Sequence, residues 1–131
     1  MDDLLYREIL LDYWQNPKNY GVIKNPDIDI TKFNSLCGDK VRIMAKLKNG
    51  KIEKVNFTCK GCIVAKALTC HLTLMASKMK VEDFLKIEAE EFLKTVNFTF
   101  SPARIKCALL GFSAFREALI KNQKKSKNSK L

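Results

Sequence analysis

Cysteine is the residue type in this chain whose number and spacing could support chemistry. Residues 57–62 read FTCKGC, which places Cys59 and Cys62 two residues apart. Such a CxxC pair is typical of a redox dithiol or of half of a zinc site, although two neighbouring thiols can also have unrelated roles. The other cysteines are Cys37, Cys70 and Cys107. An odd total of five argues against a framework of disulfides and favours metal binding or sulfur chemistry.

The CxxC pair lies at the end of a predicted β-hairpin. The segments VRIMAKL (41–47) and VNFTC (55–59) alternate apolar and mostly polar residues, and Asn49-Gly50 between them is a turn signal. A two-residue loop would put the apolar side chains of the two strands on opposite faces. We therefore predict a three-residue loop, residues 48–50, with a left-handed glycine bulge. The predicted pairs are Val55 with Ile43 and Phe57 with Val41.

The hairpin brings separate thiols together. Cys37 lies in a turn just before the first strand, and Cys62 begins a helix immediately after the second. Because the start of one antiparallel strand lies beside the end of the other, these thiols are expected to be close, and Asp39 can direct a carboxylate to the same place. Cys107 faces the same edge if the last helix packs beside the hairpin end. Three thiolates and a carboxylate suit zinc, or iron bound with sulfide.

Helices are predicted on both sides of this hairpin. Residues 3–15 have the apolar spacing of an amphipathic helix, residues 62–78 continue as a second helix, and Ser101-Pro102 is a typical start for the last long helix. A short strand at 28–34 and short helices near 81–86 and 88–95 complete the prediction. Strands early in the chain and helices late in it indicate an α+β domain, in which a small antiparallel sheet is covered by helices.

The chain is strongly basic, with a formal charge of +10 on 131 residues. Its length suits one domain, predicted at residues 1–120, and the lysine-rich segment 121–131 is predicted to be a disordered tail. No aromatic residue lies among the tail charges, so nucleic-acid binding is disfavoured, whereas an acidic protein partner is compatible with the charge. No apolar run approaches the ~20 residues of a membrane span, and the acidic N-terminus does not resemble a secretory signal. We therefore expect a cytoplasmic protein with reduced thiols.

Four short motifs occur in order along the chain. They are Tyr6 with Asn16-Pro17-Lys18-Asn19 and Gly21, Cys37-Gly38-Asp39, Gly61-Cys62, and Pro102-x-Arg104-x-Lys106-Cys107. Through these motifs the chain, from about Leu5 to Leu119, resembles the U-type iron–sulfur cluster scaffolds, namely IscU, SufU and the N-terminal domain of NifU. The resemblance implies a small three-stranded antiparallel sheet packed with about four to five helices.

The resemblance also implies a function, that of an assembly scaffold rather than an enzyme with its own small-molecule substrate. A cysteine desulfurase would deliver persulfide sulfur, iron would join it, and a transient 2Fe-2S cluster would form on Cys37, Cys62 and Cys107. Asp39 would be the labile ligand that permits release to apo iron–sulfur acceptor proteins, and Lys106 would lie beside the ligands. An iron donor or a chaperone is a further implied partner, and zinc is a candidate occupant of the isolated protein.

Two functions stay open within this resemblance. Lys106 stands where many IscU members carry histidine, as in SufU-like members, and FSPARIK stands where IscU has the LPPVK stretch that a chaperone recognises. The longer insert of SufU members before the third cysteine is absent from this sequence. The alternative function is a zinc-bound sulfurtransferase that relays persulfide from the desulfurase, with Cys107 or Cys37 as the acceptor thiol.

The remaining candidates receive other interpretations. A thioredoxin-like dithiol is disfavoured because the strand before CKGC belongs to a hairpin rather than to a βαβ unit, so we predict that Cys62 is a ligand and Cys59 is not. Cys70 lies on an apolar helix stripe and is predicted to be a buried structural thiol. His71 is predicted to be a surface or packing residue outside the site. A basic RNA-binding module is a separate class, which would bind with steep salt dependence and without Cys62.

Overall fold

A three-stranded antiparallel sheet forms one layer of the fold. The computed structural model describes residues 3–35, 38–96 and 99–129, and gives the backbone path alone for 3–6 and 126–129. The strands are β1, Ile28–Asn34; β2, Asp39–Lys48; and β3, Lys51–Lys60, in the order β1-β2-β3. Asn34 pairs with Asp39, and the next residue of β2, Lys40, pairs with Lys60. The end of β1, the start of β2 and the end of β3 therefore meet at one end of the sheet.

The turn between β2 and β3 differs from the predicted one. It is a two-residue turn in which Asn49 and Gly50 both have positive φ, 52° and 77°, and in which Lys48 pairs with Lys51. Two consecutive left-handed residues match the twist of the flanking strands, and an Asn-Gly sequence supplies them at low cost. The predicted three-residue loop is therefore wrong.

A β-bulge beside this turn restores the buried face of β3. Lys46 pairs with Lys54 and Leu47 with Ile52, so that Glu53 is the extra residue. The extra residue places Ile52 and Val55, both almost fully buried, on the same side of the sheet. The correct pairs are Val55 with Ala45, rather than with Ile43, and Phe57 with Ile43, rather than with Val41. The strand faces that carry the core are nevertheless the predicted ones.

Five helices accompany the sheet within the described ranges. They are α1, Asp3–Gln15; α2, Ile63–Ala76; α3, Val81–Leu85; α4, Ala89–Lys94; and α5, Pro102–Ser129. α2 packs against β3, α5 packs against β1, and these two helices pack against each other. The core lies between them and the sheet, and its largest fully buried side chains include Phe57, Phe84, Phe92 and Phe115. The predicted α+β fold is confirmed.

α5 is longer than the sequence analysis predicts. It continues through residues 121–129, where we expected a disordered tail, so that expectation is corrected. No glycine or proline follows Gly111, and lysine and glutamine favour helix, so a helix that begins on the core can continue beyond it. Lys121 and Glu117 support this segment with an i,i+4 ion pair at 3.4 Å. No helix in the described part of the chain is long and apolar enough to cross a membrane.

The two edges of the sheet differ. Residues 19–21 lie alongside β3, where the Phe57 N–H donates to the carbonyl of Asn19 at 3.0 Å and the Gly21 N–H donates to the carbonyl of Phe57 at 2.9 Å. On the opposite edge, within the described ranges, β1 forms backbone pairs with β2 and with no other segment. The edge of β3 is thus covered, whereas that of β1 is open.

Candidate metal centre

Three elements end or begin at one place and bring their polar side chains together. Asp39 is the first residue of β2, Cys62 immediately precedes α2, and Cys107 lies in the second turn of α5. One ligand atom from each of these residues lies within 4.8 Å of the other two. The structure therefore brings together three of the four residues that the sequence analysis names as ligands.

Cys37, the fourth, lies outside the described residues. It is two positions before Asp39 in the chain, and Gly38 between them has a left-handed backbone with φ of 73°. Its membership of the site therefore stays a prediction.

Asp39 is held against the start of α2. Its carboxylate accepts a hydrogen bond from the Cys62 N–H at 2.9 Å, and the Cys62 thiol lies 3.5 Å from its other oxygen. The residue is only 1% exposed. A buried carboxylate is costly unless it is hydrogen-bonded or coordinated, so this one occupies a place built for it.

Gly61 makes the close approach of Asp39 possible. A Cβ at position 61 would lie in contact with the Asp39 carboxylate oxygen and 2.9 Å from its Cγ, which is below normal van der Waals separation. The GC pair is thus explained by two separate demands: a glycine leaves room for the carboxylate, and the cysteine supplies the sulfur. The Gly61-Cys62 pair is evident in the sequence, but the reason for the glycine, its contact with the Asp39 carboxylate, is evident only in the structure.

Cys62 is the N-cap of α2. Its backbone is extended (φ −73°, ψ 166°), and its sulfur accepts a hydrogen bond from the Ala65 N–H at 3.4 Å. Free N–H groups at a helix N-terminus stabilise negative charge, which suits a thiolate that binds a metal ion. Cys62 as a whole residue is half-buried rather than enclosed in the core.

Cys107 reaches the cluster from α5. It is 2% exposed, and its sulfur lies 3.9 Å from the carbonyl oxygen of Ala103 and 3.8 Å from Nδ2 of Asn34. Asn34, the last residue of β1, was not singled out from the sequence. Its role becomes visible through the β1–β2 register, because it pairs with Asp39 and so reaches the same end of the sheet.

Lys106, predicted to lie beside the ligands, is exposed on α5. It lines a surface depression together with Asn34 and Leu109. A direct role of its ammonium group at the metal centre therefore stays a prediction.

Cys59 is close to the centre but separate from it, since its sulfur is not among the three clustered ligand atoms. Burial, with the neighbouring charges of Asp39 and Cys62, raises the pKa of its thiol to about 12. Its backbone is fixed to Tyr20, whose hydroxyl lies 3.3 Å from both the N–H and the carbonyl oxygen of Cys59. A raised pKa makes this thiol less readily ionised than an ordinary cysteine; that Cys59 is not a ligand stays a prediction.

Cys70 and His71 lie further along α2 and away from the centre. Cys70 is fully buried, and its sulfur accepts a hydrogen bond from the Lys18 N–H at 3.3 Å. Burial raises the pKa of this thiol. His71 packs between Tyr13 and Phe92, its Nε2 lies 2.8 Å from Oγ1 of Thr95, and burial lowers its pKa. Cys70 is thus a buried thiol and His71 a packing residue, which are the positions predicted for them.

The donor set fits a thiophilic metal ion. Two sulfurs and one carboxylate oxygen are ligands that zinc and iron accept. Ligand atoms around one tetrahedral zinc ion lie about 3.7 Å apart, so rotations of the side chains at this centre would close the observed set on a single ion.

Comparisons with known proteins point to one family. The family model described as "NifU-like N terminal domain" matches residues 5–129. The chain is 28% identical to "Zinc-dependent sulfurtransferase SufU" of Bacillus subtilis, over 92% of this chain and 93% of that protein. It is 31% identical to "Iron-sulfur cluster assembly scaffold protein IscU 1" of Archaeoglobus fulgidus, over 88% of this chain and 75% of that protein. The crystal structure of a nitrogen-fixing NifU-like protein (N-terminal) from Brucella abortus has the same fold, with a TM-score of 0.74 at 19% identity over 95% of this chain and 97% of that chain.

Proposed function

The chain belongs to the family of the NifU-like N-terminal domain, and we propose that it is an iron–sulfur cluster assembly scaffold. It accepts sulfur from a cysteine desulfurase, binds iron, builds a transient 2Fe-2S cluster and transfers that cluster to apo acceptor proteins. In this role the cluster is cargo rather than a resident cofactor, and the protein turns over no small-molecule substrate of its own. An iron donor or a chaperone would assist at the same surface.

One observation carries this proposal. Asp39, Cys62 and Cys107 come from three separate elements and present their ligand atoms within 4.8 Å of one another. Cys37, two residues before Asp39, would supply the fourth ligand, and Lys106 would offset part of the negative charge. A carboxylate holds iron less firmly than a thiolate does, so one oxygen ligand among three sulfurs suits a cluster that must leave.

Anaerobic reconstitution tests the scaffold function. The protein is mixed with ferrous iron, cysteine and a cysteine desulfurase, and the visible absorbance of an iron–sulfur cluster is followed. The expected result is a cluster that forms on the protein and then moves to an added apo-ferredoxin. A protein that never acquires cluster absorbance under these conditions would contradict the proposal.

A second candidate function is favoured by the similarity to SufU, which extends over nearly the full length of both proteins. In this function zinc stays bound and the protein relays sulfur. The thiolate of Cys107 or Cys37 attacks the outer sulfur of the desulfurase persulfide, a new S–S bond forms on this chain, and the desulfurase cysteine leaves as a thiolate. Lys106 before Cys107 agrees with this candidate.

The same experiment separates the two functions if zinc is measured. Retained zinc, faster desulfurase turnover and a persulfide on this chain, without cluster absorbance, would support the relay. Zinc displaced by iron, followed by cluster transfer, would support the scaffold. Persulfide is detected by mass spectrometry as an addition of about 32 Da, the mass of one sulfur atom, to a cysteine-containing peptide.

A further inference from the structure

The open edge of β1 and the adjacent face of α5 form a groove, here called the edge groove. It consists of two depressions of about 440 and 400 Å³. The distal depression includes Ile30, Ala118 and Lys125, and the proximal one includes Phe33, Leu109 and Lys106. From the distal to the proximal depression, residue numbers rise along the strand side, from Asp27 to Ser35, and fall along the helix side, from Lys125 to Ile105. Strand and helix therefore run antiparallel along the groove.

The open backbone edge of β1 allows the edge groove to pair with an added strand. Within the described ranges β1 pairs with β2 on one side, and its other side has no strand partner. Such an edge presents a row of N–H and C=O groups that an extended peptide can join as an additional strand. Side chains of an added strand would point alternately toward the wall formed by α5 and away from it.

The charges around the edge groove select the occupant. Each acidic side chain along the groove has a partner. Asp27 accepts the Leu47 N–H at 2.8 Å, Asp29 binds Arg42 at 2.8 Å, and Glu117 binds Lys32 at 2.9 Å and Lys121 at 3.4 Å. Lys125 at the distal end and Lys106 at the proximal end are exposed, and no carboxylate of the described residues lies within ion-pair distance of either. An occupant with acidic ends would complement both lysines.

The dimensions agree with a short strand. The seven residues of β1 extend over about 23 Å, and the rise of α5 from Lys106 to Lys125 is about 28 Å. An extended segment of about nine residues, about 30 Å long, would therefore reach from one lysine to the other. Between them it would meet the apolar side chains of Ala118 and Leu109 on the helix wall.

From these observations we infer that the edge groove binds an extended segment of a partner protein, with apolar residues at alternate positions in its centre and acidic residues at both ends, as a fourth strand on β1. The proximal end of the groove includes Asn34, whose side chain contacts the sulfur of Cys107. A bound segment would thus anchor its protein beside the candidate metal centre. The inference does not depend on the proposed function, because the groove contains none of the clustered ligands.

A synthetic peptide serves as the probe. We choose acetyl-Glu-Asp-Val-Thr-Val-Thr-Val-Asp-Glu-amide, and measure its binding to the full-length protein by calorimetry and by hydrogen exchange of the backbone amides. The expected result is binding that weakens with salt and that slows exchange of alternate β1 amides about tenfold or more, while the exchange of β2 amides changes little. The Cys62→Ser variant should bind the peptide equally well, which separates this inference from the proposed function.

Matched controls test backbone pairing and charge separately. Two N-methylated peptides, one methylated at the valines and one at the threonines, each block one edge of the strand, and at least one should bind about tenfold more weakly. A peptide with lysine in place of every acidic residue should not bind. Lys125→Glu should weaken binding of the acidic peptide about threefold, whereas Lys94→Glu, an exposed lysine of α4 outside the groove, should not.

Several outcomes would overturn the inference. One is no detectable binding of the acidic peptide, and another is protection confined to amides outside β1. A third is equal affinity of both N-methylated peptides and the parent peptide, which would exclude strand pairing. Finally, protection of β1 amides without peptide, together with a concentration-dependent dimer in sedimentation, would identify a second copy of this chain as the occupant.

Discussion

Helix α2 carries two cysteines that differ only in where they lie along it. Cys62 caps the N-terminus, is half-buried, and has the Asp39 carboxylate at 3.5 Å. Cys70, about two turns later, is fully buried and receives the Lys18 N–H at 3.3 Å. The first thiol faces a carboxylate and another thiol from different elements, whereas the second attaches a loop to the helix.

The difference shows what makes a thiol available for chemistry in this fold. The middle of a helix offers its side chains to one neighbouring surface, and close packing there leaves no space for a metal ion. The ends of elements are where several chain segments meet, where backbone N–H groups are free, and where solvent can enter. The clustered ligands of this protein are all at or near such ends.

Replacing the two cysteines in turn gives the largest expected effect. Cys62→Ser should abolish binding of iron or zinc, because it removes a central sulfur ligand. Cys70→Ser should leave metal content near that of the wild type and cost about 1 kcal/mol of stability, because a serine hydroxyl can still accept the Lys18 N–H. Metal analysis of anaerobically loaded protein and urea denaturation provide the two measurements. Metal lost from Cys70→Ser in a folded protein would contradict the distinction between the N-terminus and the middle of α2.

Gly61→Ala tests the N-terminal end of α2 without removing any ligand. The new Cβ would displace the Asp39 carboxylate, which lies in its path, so metal affinity should fall by about tenfold, equivalent to the loss of one charge-assisted contact. Gly50→Ala is the matched control, since it strains a left-handed turn residue (φ 77°) at the far end of the hairpin. That variant should lose about 1 kcal/mol of stability and keep its metal affinity. Equal affinities of both variants would show that Asp39 does not bind the metal.

The same comparison explains which features the sequence predicts well. The helix after Cys62 follows from an apolar stripe, and the start of α5 follows from Ser101-Pro102, because both signals are local. The closeness of Asp39 to Cys62 follows from hairpin topology alone and needs no exact register. These elements and this part of the site could therefore be predicted without the structure.

Features that depend on non-local contacts could not be predicted in the same way. The hairpin register depends on a bulge at Glu53, and the spacing of Ile52 and Val55 was the signal for it. Asn34 enters the site through pairing between β1 and β2, which no local pattern specifies. The last turns of α5 are polar on all sides, and composition alone cannot distinguish an extension of a packed helix from a disordered tail.

Asp39→Ala should lower the affinity for a single metal ion about as much as Gly61→Ala does, and its distinct effect is on the kinetics of cluster release. Under the proposed function the variant still assembles a cluster on thiolates but releases it more slowly, by about threefold to tenfold, because one negative charge leaves a nearly buried site and repulsion between the ligands falls. Cluster transfer to apo-ferredoxin, followed by absorbance, measures the rate. Asp29→Ala, which removes a surface ion pair with Arg42, is the control and should transfer at the wild-type rate. Faster release from Asp39→Ala would contradict the role of a labile ligand.

Cys59 is neither one of the clustered ligands, as Cys62 is, nor fully buried, as Cys70 is. Its replacement gives the smallest expected effect. Its pKa is raised from 9.0 to about 12, so as pH rises above 9 the unfolded chain releases this proton while the folded chain keeps it. The free energy of unfolding should therefore fall with rising pH across this window, and Cys59→Ser should show a shallower decline, with lysine titration common to both chains. Urea denaturation at several pH values measures both slopes. Parallel slopes would mean that the Cys59 thiol titrates in the folded protein as it does in the unfolded chain, which would contradict the effect of its burial.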